Sequence, residues 1–402
     1  MGDPRLVRLN PNIPWKTRGN ASLSARFGHG QGRRSRIGEI GGSPVWSFAR
    51  GRPPTPAERS AYLEAAWLLV RREAQSGDPG TDPALVASDR RLPAAVYWNA
   101  VRAVVPVDEA RRALESAGAW FRWAGSERGL VGAAAAIAWP GGHPTWELIA
   151  YRDRARWGSA REVDPDSVRA AQREFPDLFL CHDARTRRVL VAPHTPCPIL
   201  FGLRSTDPRS PRRALARVRS EPVDRYVVFR TNQGSGDHLV RRAGVEWPAL
   251  TSGSLRGRVA GAPSVLRGGH VRFEIELASG DRIPCLAFEP TKTLPRVARE
   301  LSSGDRVRVW GSRGPEPSIH LEGIEVLGWA RFFPDGGAPA CPQCHRRTES
   351  SGHQRGFRCR RCRTRLPPES ARPRERHPSL PTGTYHPTPS ARRHLALRGP
   401  ES

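Results

Sequence analysis

Val271-Arg-Phe-Glu-Ile-Glu-Leu277 alternates apolar and charged side chains without a break. In an extended chain successive side chains point to opposite faces, so Val271, Phe273, Ile275 and Leu277 share one face and Arg272, Glu274 and Glu276 the other. That is the pattern of a half-buried strand. Four more short strands are expected around it, at 255–260, 282–288, 305–310 and 319–327, with a helix over 291–301 between the third and fourth strands. Five strands with a helix at that point is the layout of an OB-fold, a barrel that commonly binds oligonucleotides. Any small antiparallel β domain is the competing architecture.

The surrounding chain is too long for one core. Its 402 residues correspond to two to four domains at roughly 100 to 200 residues each. Lys and Arg number 65 against 39 Asp and Glu, a net charge of +26 that points to a polyanionic partner such as nucleic acid. Only Lys16 and Lys292 are lysine, and three of the five asparagines fall within the first twenty residues. The longest apolar run, Gly129 to Trp139, has eleven residues, short of the roughly 20 that span a bilayer. With no signal-peptide-like start, the chain is expected to be cytoplasmic.

Upstream of the barrel the pattern is mixed α+β. Residues 27–56 are rich in Gly, Arg, Ser and Pro and read as a linker. Helical spacing marks 57–73 and 107–117, with a third helix expected over 93–105. The run 129–138 is a packed helix or strand, and 146–152, 188–192 and 225–231 read as strands. The last 36 residues carry almost no large apolar side chains and are expected to be disordered.

Cys341-Pro-Gln-Cys344 and Cys359-Arg-Arg-Cys362 form two knuckles, fourteen residues apart, that can offer four thiolates to one tetrahedral ion. Structural Zn²⁺ suits them, because the short segment between them is too small to hold a core unaided. A histidine ligand, His345 or His353, and a redox dithiol are the alternatives. Arg360 and Arg361 belong to a run of arginines that makes the ribbon a candidate phosphate-binding surface; a solvated charge run is the competing role. No Walker loop, serine-hydrolase elbow or His-Glu-x-x-His site is present.

Whole phrases then carry a resemblance. Leu6-Val-Arg-Leu-Asn-Pro-Asn-Ile-Pro-Trp-Lys-Thr-Arg-Gly-Asn20, Trp146-Glu-Leu-Ile-Ala-Tyr-Arg152, Pro193-His-Thr-Pro-Cys-Pro-Ile-Leu-Phe-Gly-Leu-Arg204, Phe229-Arg-Thr-Asn-Gln-Gly234, Gly268-Gly-His-Val271, Phe288-Glu-Pro-Thr-Lys292 and the four-Cys knuckle occur in one order. This order resembles the archaeal family of agmatinylcytidine synthetases that modify an isoleucine tRNA. The resemblance implies a kinase-like catalytic domain over 1–123, a ferredoxin-like domain over 124–248, an OB-fold over 249–330 and a zinc ribbon over 338–366, with a basic tail over 367–402. It implies an ATP- and Mg²⁺-dependent ligase that activates the C2 oxygen of the wobble cytidine in the isoleucine tRNA with CAU anticodon and lets agmatine displace it. The product, 2-agmatinylcytidine, decodes AUA. No protein partner and no membrane are implied.

The resemblance places Lys16, Thr17, Arg18 and Asn20 against ATP phosphate or the activated base, with a structural strand and turn as the alternative. His194 and Thr195 fall in a Pro-punctuated turn expected to line the substrate pocket. Glu147 and Asp164 are the carboxylate candidates for agmatine's guanidinium, with a structural ion pair as the competing role. Arg230, Asn232, Gln233, His270 and Lys292 are candidates for tRNA contact, with surface polarity and a tight turn as alternatives. The family's Asp-Asp-Thr-Asp-Ser motif does not occur in this sequence, so the expectation is an N-terminally truncated catalytic domain. A noncatalytic RNA-binding protein built on the barrel and ribbon is therefore the second reading.

Overall fold

Thr145–Arg152 is buried along most of its length, paired on both sides and second from one edge of a five-stranded sheet. The computed structural model describes residues 6–9, 22–25, 55–74, 82–88, 90–194, 197–242, 246–332, 337–352, 355–372 and 374–392. The chain divides into two units, one comprising 1–240, 250–253 and 388–402 and the other 241–249 and 254–387. In the first unit Thr145–Arg152 runs antiparallel to both neighbours, Ile199–Ser205 and Val223–Thr231. Beyond Val223–Thr231 lies Leu6–Leu9, parallel to it, and then Ser22–Ala25 at the edge.

One face of this sheet carries Leu148, Ala150, Leu203 and Val228, which pack with Val168, Ala171 and Phe175 of the Pro165–Glu174 helix region and with Ala214 of Ser210–Leu215. A separate core gathers Tyr97 and Val101 of Ala94–Arg102, Leu114 of Val107–Ser116, and Leu130, Ala134 and Ala136 of Gly129–Ala138. The ambiguous run is thus a helix, as its alanines favour. Its small side chains let the neighbouring helices approach closely. Pro56–Glu73 starts on a reciprocal cap, with Thr55 Oγ1 accepting from Glu58 N–H at 3.2 Å and Glu58 Oε2 accepting from Thr55 N–H at 2.8 Å. The 27–54 part of the expected linker lies outside the described residues.

Several elements differ from the sequence reading. Ile199–Ser205 is apolar on both faces, so it shows no period; Pro165–Glu174 buries only small residues and one valine on its inner side. The strand expected over 188–192 is limited to Arg188–Val189, paired with His182–Asp183.

In the second unit Ser252–Val259, Val271–Glu276, Arg282–Ala287, Ile319–Gly328 and Arg306–Arg313 pair in that order and close back onto Ser252–Val259, making a small β-barrel. The contact between Arg282–Ala287 and Ile319–Gly328 is parallel; Val271–Glu276 is antiparallel to both Ser252–Val259 and Arg282–Ala287, and Arg306–Arg313 is antiparallel to Ile319–Gly328. Val271, Phe273 and Ile275 face the core as their alternation requires, and Thr293–Glu300 covers it with Leu294, Val297 and Ala298. Gly323 stands opposite Trp310, and a Cβ there would meet the indole at 2.0 Å, so only glycine admits that ring.

The tail expected to be disordered is ordered through residue 392 among the described residues. Gly383–Tyr385 pairs with Ile319–Gly328, Arg376 is bound to the buried Asp305 at 2.6 Å and to Glu300 C=O at 2.6 Å, and Ser379 N–H donates to Glu300. A buried carboxylate needs a charged partner, and Arg376 supplies it. In the first unit, Ser390 donates through both its N–H and its hydroxyl to the buried Asp183.

Arg152, at the end of the Thr145–Arg152 strand, is buried with Glu221 in a two-pronged pair at 2.8 and 2.9 Å, and also donates to the carbonyls of Ser159 and Ala160. The Arg152 guanidinium holds the Glu221 carboxyl below its ordinary range. Because the folded value is depressed, the stability from the pair is complete above the unfolded carboxylate pKa of about 4.3 and is lost as pH falls through the folded value. Glu221→Gln is expected to lower the first unit's unfolding free energy by about 3 kcal/mol at neutral pH. Acid titration of stability checks it: the variant should lose less than the parent below about pH 4.

Candidate functional site

Glu147 and Arg204 are direct cross-strand partners in the register of the sheet. Glu147 is 2 % exposed, and its Oε1 lies 3.2 Å from Arg204 Nε. Gln233 completes the triangle, donating to Glu147 Oε2 at 3.1 Å and accepting from Arg204 Nε at 2.9 Å. Its backbone carbonyl accepts from Thr145 Oγ1 at 2.6 Å, which fixes the turn after the Val223–Thr231 strand. Three separated sequence phrases therefore meet in one cluster.

Next to it, Asn232 is fully buried and donates to the Tyr97 hydroxyl at 3.1 Å, which itself donates to Asp237 at 2.5 Å. Burial, and then the charge of Asp237, push the Tyr97 phenol far above its ordinary value, so it remains a donor. Arg102 donates to the Asp237 carbonyl at 3.2 Å. Asn232 and Gln233 were expected to reach RNA; both are instead turned inward, where their amides satisfy buried polar groups. Arg230 donates to Gly141 C=O at 2.9 Å and lies over the Trp139 ring at 5.2 Å.

Asp164 caps Pro165–Glu174, accepting from Asp166 N–H at 2.8 Å, and pairs with Arg219. Its contacts are those of a structural carboxylate, and the geometry does not bring it to Glu147. His194 lies 3.0 Å from Arg188 and lines a cleft of about 400 Å³ with residues of the 158–161 and 189–193 segments. Arg161 joins the two walls by donating to the carbonyls of Pro193, Cys197 and Ile199. Lys16, Thr17, Arg18, Asn20 and Thr195 lie outside the described residues.

On the barrel, His270 Nδ1 accepts from Glu289 N–H at 3.0 Å, and its ring meets Phe288 edge-on at 5.3 Å. Gly268 and Gly269 both take φ of +83°, the left-handed region glycine tolerates. Lys292 pairs with Glu289, which brings two of the sequence phrases onto one edge of the barrel.

The four cysteine Sγ atoms lie within 4.8 Å of one another, the closest pairs at 3.3, 3.4 and 3.7 Å. Tetrahedral Zn–S bonds of about 2.3 Å put sulfurs roughly 3.8 Å apart, so the quartet fits zinc. The two knuckles share one build. Cys341 N–H donates to Arg346 C=O and His345 N–H to Cys341 C=O; Cys359 N–H donates to Thr364 C=O and Arg363 N–H to Cys359 C=O. His345 and Arg363 occupy the matching positive-φ positions, which leaves His345 as a turn residue and not a member of the cluster. The alternative ligand His353 lies outside the described residues. Hydrogen bonding from Thr364 pulls the Cys362 thiol down to about 6. Arg360 is exposed and pairs with Glu349 at 2.5 Å, while Arg361 is exposed.

Sequence reasoning missed Arg204, Tyr97, Asp237 and the Arg152–Glu221 pair. Arg204 stands inside a quoted phrase, but only the strand register shows what it faces. Tyr97 and Asp237 are 140 residues apart, and nothing local links them.

A mixed α+β unit, a small β-barrel and a four-cysteine ribbon on a strongly basic chain make a multidomain protein of the class suited to a polyanionic partner. Family models described as the TiaS TCKD domain, the TiaS FLD domain and the TiaS C-terminal zinc ribbon domain match residues 1–124, 127–238 and 338–377. The isoleucine-tRNA 2-agmatinylcytidine synthetase TiaS of Methanosarcina mazei is 34% identical over 98% of this chain and 88% of its own length. That of Archaeoglobus fulgidus is 35% identical over the same shares. The crystal structure of TiaS in complex with its isoleucine tRNA and ATP is similar at a TM-score of 0.77, with 32% identity over 98% of this chain and 88% of that one. A complex of TiaS with the tRNA, AMPCPP and agmatine gives 0.75, with 31% identity over 98% and 87%. The chain belongs to the TiaS family of isoleucine-tRNA 2-agmatinylcytidine synthetases.

The quartet's closed geometry predicts one tightly held zinc per chain. Elemental analysis of the purified protein checks this, and Cys359→Ser should lose the metal together with protease resistance confined to the ribbon.

Proposed function

We propose that this chain joins agmatine to C2 of the wobble cytidine in the isoleucine tRNA with CAU anticodon, consuming ATP, so that the tRNA decodes AUA. The observation that carries this reading is the match over 98% of the chain to isoleucine-tRNA 2-agmatinylcytidine synthetases, with solved relatives holding tRNA, ATP and agmatine. In this reading the first unit combines a kinase-like catalytic part with a ferredoxin-like part, and the small barrel is an OB-fold. The strand order and the helix before the fourth strand support that last assignment.

Chemically, the C2 oxygen of cytidine is a poor leaving group until it is phosphorylated. ATP supplies that activation, and the neutral primary amine of agmatine then forms the new C2–N bond as the oxygen leaves with its phosphoryl group. We assign ATP and its Mg²⁺ to the Lys16–Asn20 segment and its surroundings. Among the described residues the cysteine quartet is the one group of three or more metal ligands, and its zinc has a structural role in the ribbon.

Glu147 acts here as a positioning residue: it orients Arg204 and Gln233 and thereby fixes the 230–234 turn. The strand Leu6–Leu9, paired beside that turn through Val7↔Arg230 and Arg8↔Thr231, is followed in sequence by the Lys16–Asn20 segment. The pairing of Leu6–Leu9 with Val223–Thr231 supports one reaction site shared by both parts of the unit. The barrel edge at His270 and Lys292 and the arginines of the ribbon supply donors and positive charge for tRNA phosphates. The tRNA and ATP of this reading support a cytoplasmic location, and no described helix is long and apolar enough to cross a membrane.

Labelled agmatine offered with ATP and the tRNA transcript should enter the RNA. Incorporation should stop without ATP, and it should stop when the wobble cytidine is replaced by uridine. Tight RNA binding with no incorporation would instead support the noncatalytic binding reading.

A further inference from the structure

Trp157 is a large aromatic side chain left 38 % exposed, on a loop that is otherwise tightly fixed. Its indole N–H donates to Arg152 C=O at 3.3 Å, and its backbone N–H donates to Arg154 C=O at 3.2 Å. Arg152 is itself locked by Glu221 and by the carbonyls of Ser159 and Ala160. The ring is therefore held in place before any ligand arrives.

The residues that follow it, Gly158 to Arg161, form one wall of the 400 Å³ cleft, and His194 stands on the other. That volume lies within the ~300–1,000 Å³ typical of ligand clefts. The surrounding charges are mostly positive. Arg154 lies 5.7 Å from the Trp157 ring, Arg188 reaches His194, and Arg161 spans the walls. Of the nearby carboxylates, Asp153 caps Ala155 N–H and Glu162 faces Arg156. No carboxylate is among the cleft-lining residues. A dicationic amine such as agmatine would meet like charge here. An aromatic base followed by a phosphate meets an exposed indole and guanidinium groups, the combination that single-stranded RNA exploits.

We propose that Trp157 and the adjoining cleft receive an unstacked base and its phosphate from the anticodon loop of the tRNA substrate. The proposal rests on the tRNA reading above, and it adds an RNA contact outside the reaction site. Trp157 stacks the base, while Arg154 and Arg188 take the phosphate.

The test measures binding of an anticodon stem-loop RNA to the full chain and its variants. Base stacking on an aromatic residue predicts that Trp157→Ala weakens binding about five- to 150-fold. Trp157→Phe, which keeps an aromatic face, should remain within about threefold of the parent. Arg188→Ala should reduce the salt dependence of binding by about one phosphate contact. In the parent protein, 2-aminopurine placed at successive loop positions should be quenched at one of them, a readout that needs no variant. Unchanged affinity for Trp157→Ala and no quenching at any position would overturn the proposal. So would loss of labelled-agmatine retention by Trp157→Ala with RNA affinity intact, which would give the cleft to the amine. RNA binding that depends on Trp157 without agmatine incorporation would sink the ligase reading alone. Incorporation with Trp157-independent RNA binding would sink this proposal alone.

Discussion

Glu147 is a carboxylate with almost no water, on an interior strand of a sheet, and an unpaired charge there would be very unfavourable. Its partner must come from a neighbouring strand. The register puts Arg204 directly opposite, and Gln233 fills the remaining hydrogen-bonding positions. The other end of the same strand repeats the constraint with opposite sign, since buried Arg152 requires Glu221. A one-residue slip of Ile199–Ser205 would carry Arg204 away from Glu147, and a slip of Val223–Thr231 would displace Glu221 and Gln233 at its two ends. The two ends thus fix the register from which the cleft loop and the 230–234 turn take their positions.

The family-model segments 1–124 and 127–238 meet within this unit, yet the sheet does not respect their border. Leu6–Leu9, from the first segment, pairs in parallel with Val223–Thr231 of the second. The Tyr97–Asp237 hydrogen bond crosses the same border. The two segments therefore share a sheet and a buried polar contact within one unit.

How much was legible depended on the range of the signal. Val271–Leu277 declared the barrel because its alternation is local, and the cysteine pairs declared the ribbon because metal spacing is local. Ile199–Ser205 did not announce itself, being buried on both faces. The inward turn of Asn232 and Gln233 was also hidden, because polarity on a strand end reads as surface until the facing Glu147 and Tyr97 are known. The tail looked featureless: its order comes from single distant partners, Arg376 on Asp305 and Ser390 on Asp183, and not from a periodic apolar face. The family phrases supplied the reaction, and the register shows Glu147, offered either for agmatine or for a structural ion pair, facing Arg204 and Gln233.

A double-mutant cycle on Glu147 and Arg204 tests the central claim most directly. Unfolding of the first unit would be followed in Glu147→Gln, Arg204→Met and the double variant. If the buried pair organises the unit, each single change lowers stability by about 3 kcal/mol, because each strands the other partner. The double variant should then lose much less than the sum, with a coupling above about 1.5 kcal/mol. Losses that add to within about 0.5 kcal/mol would contradict the account.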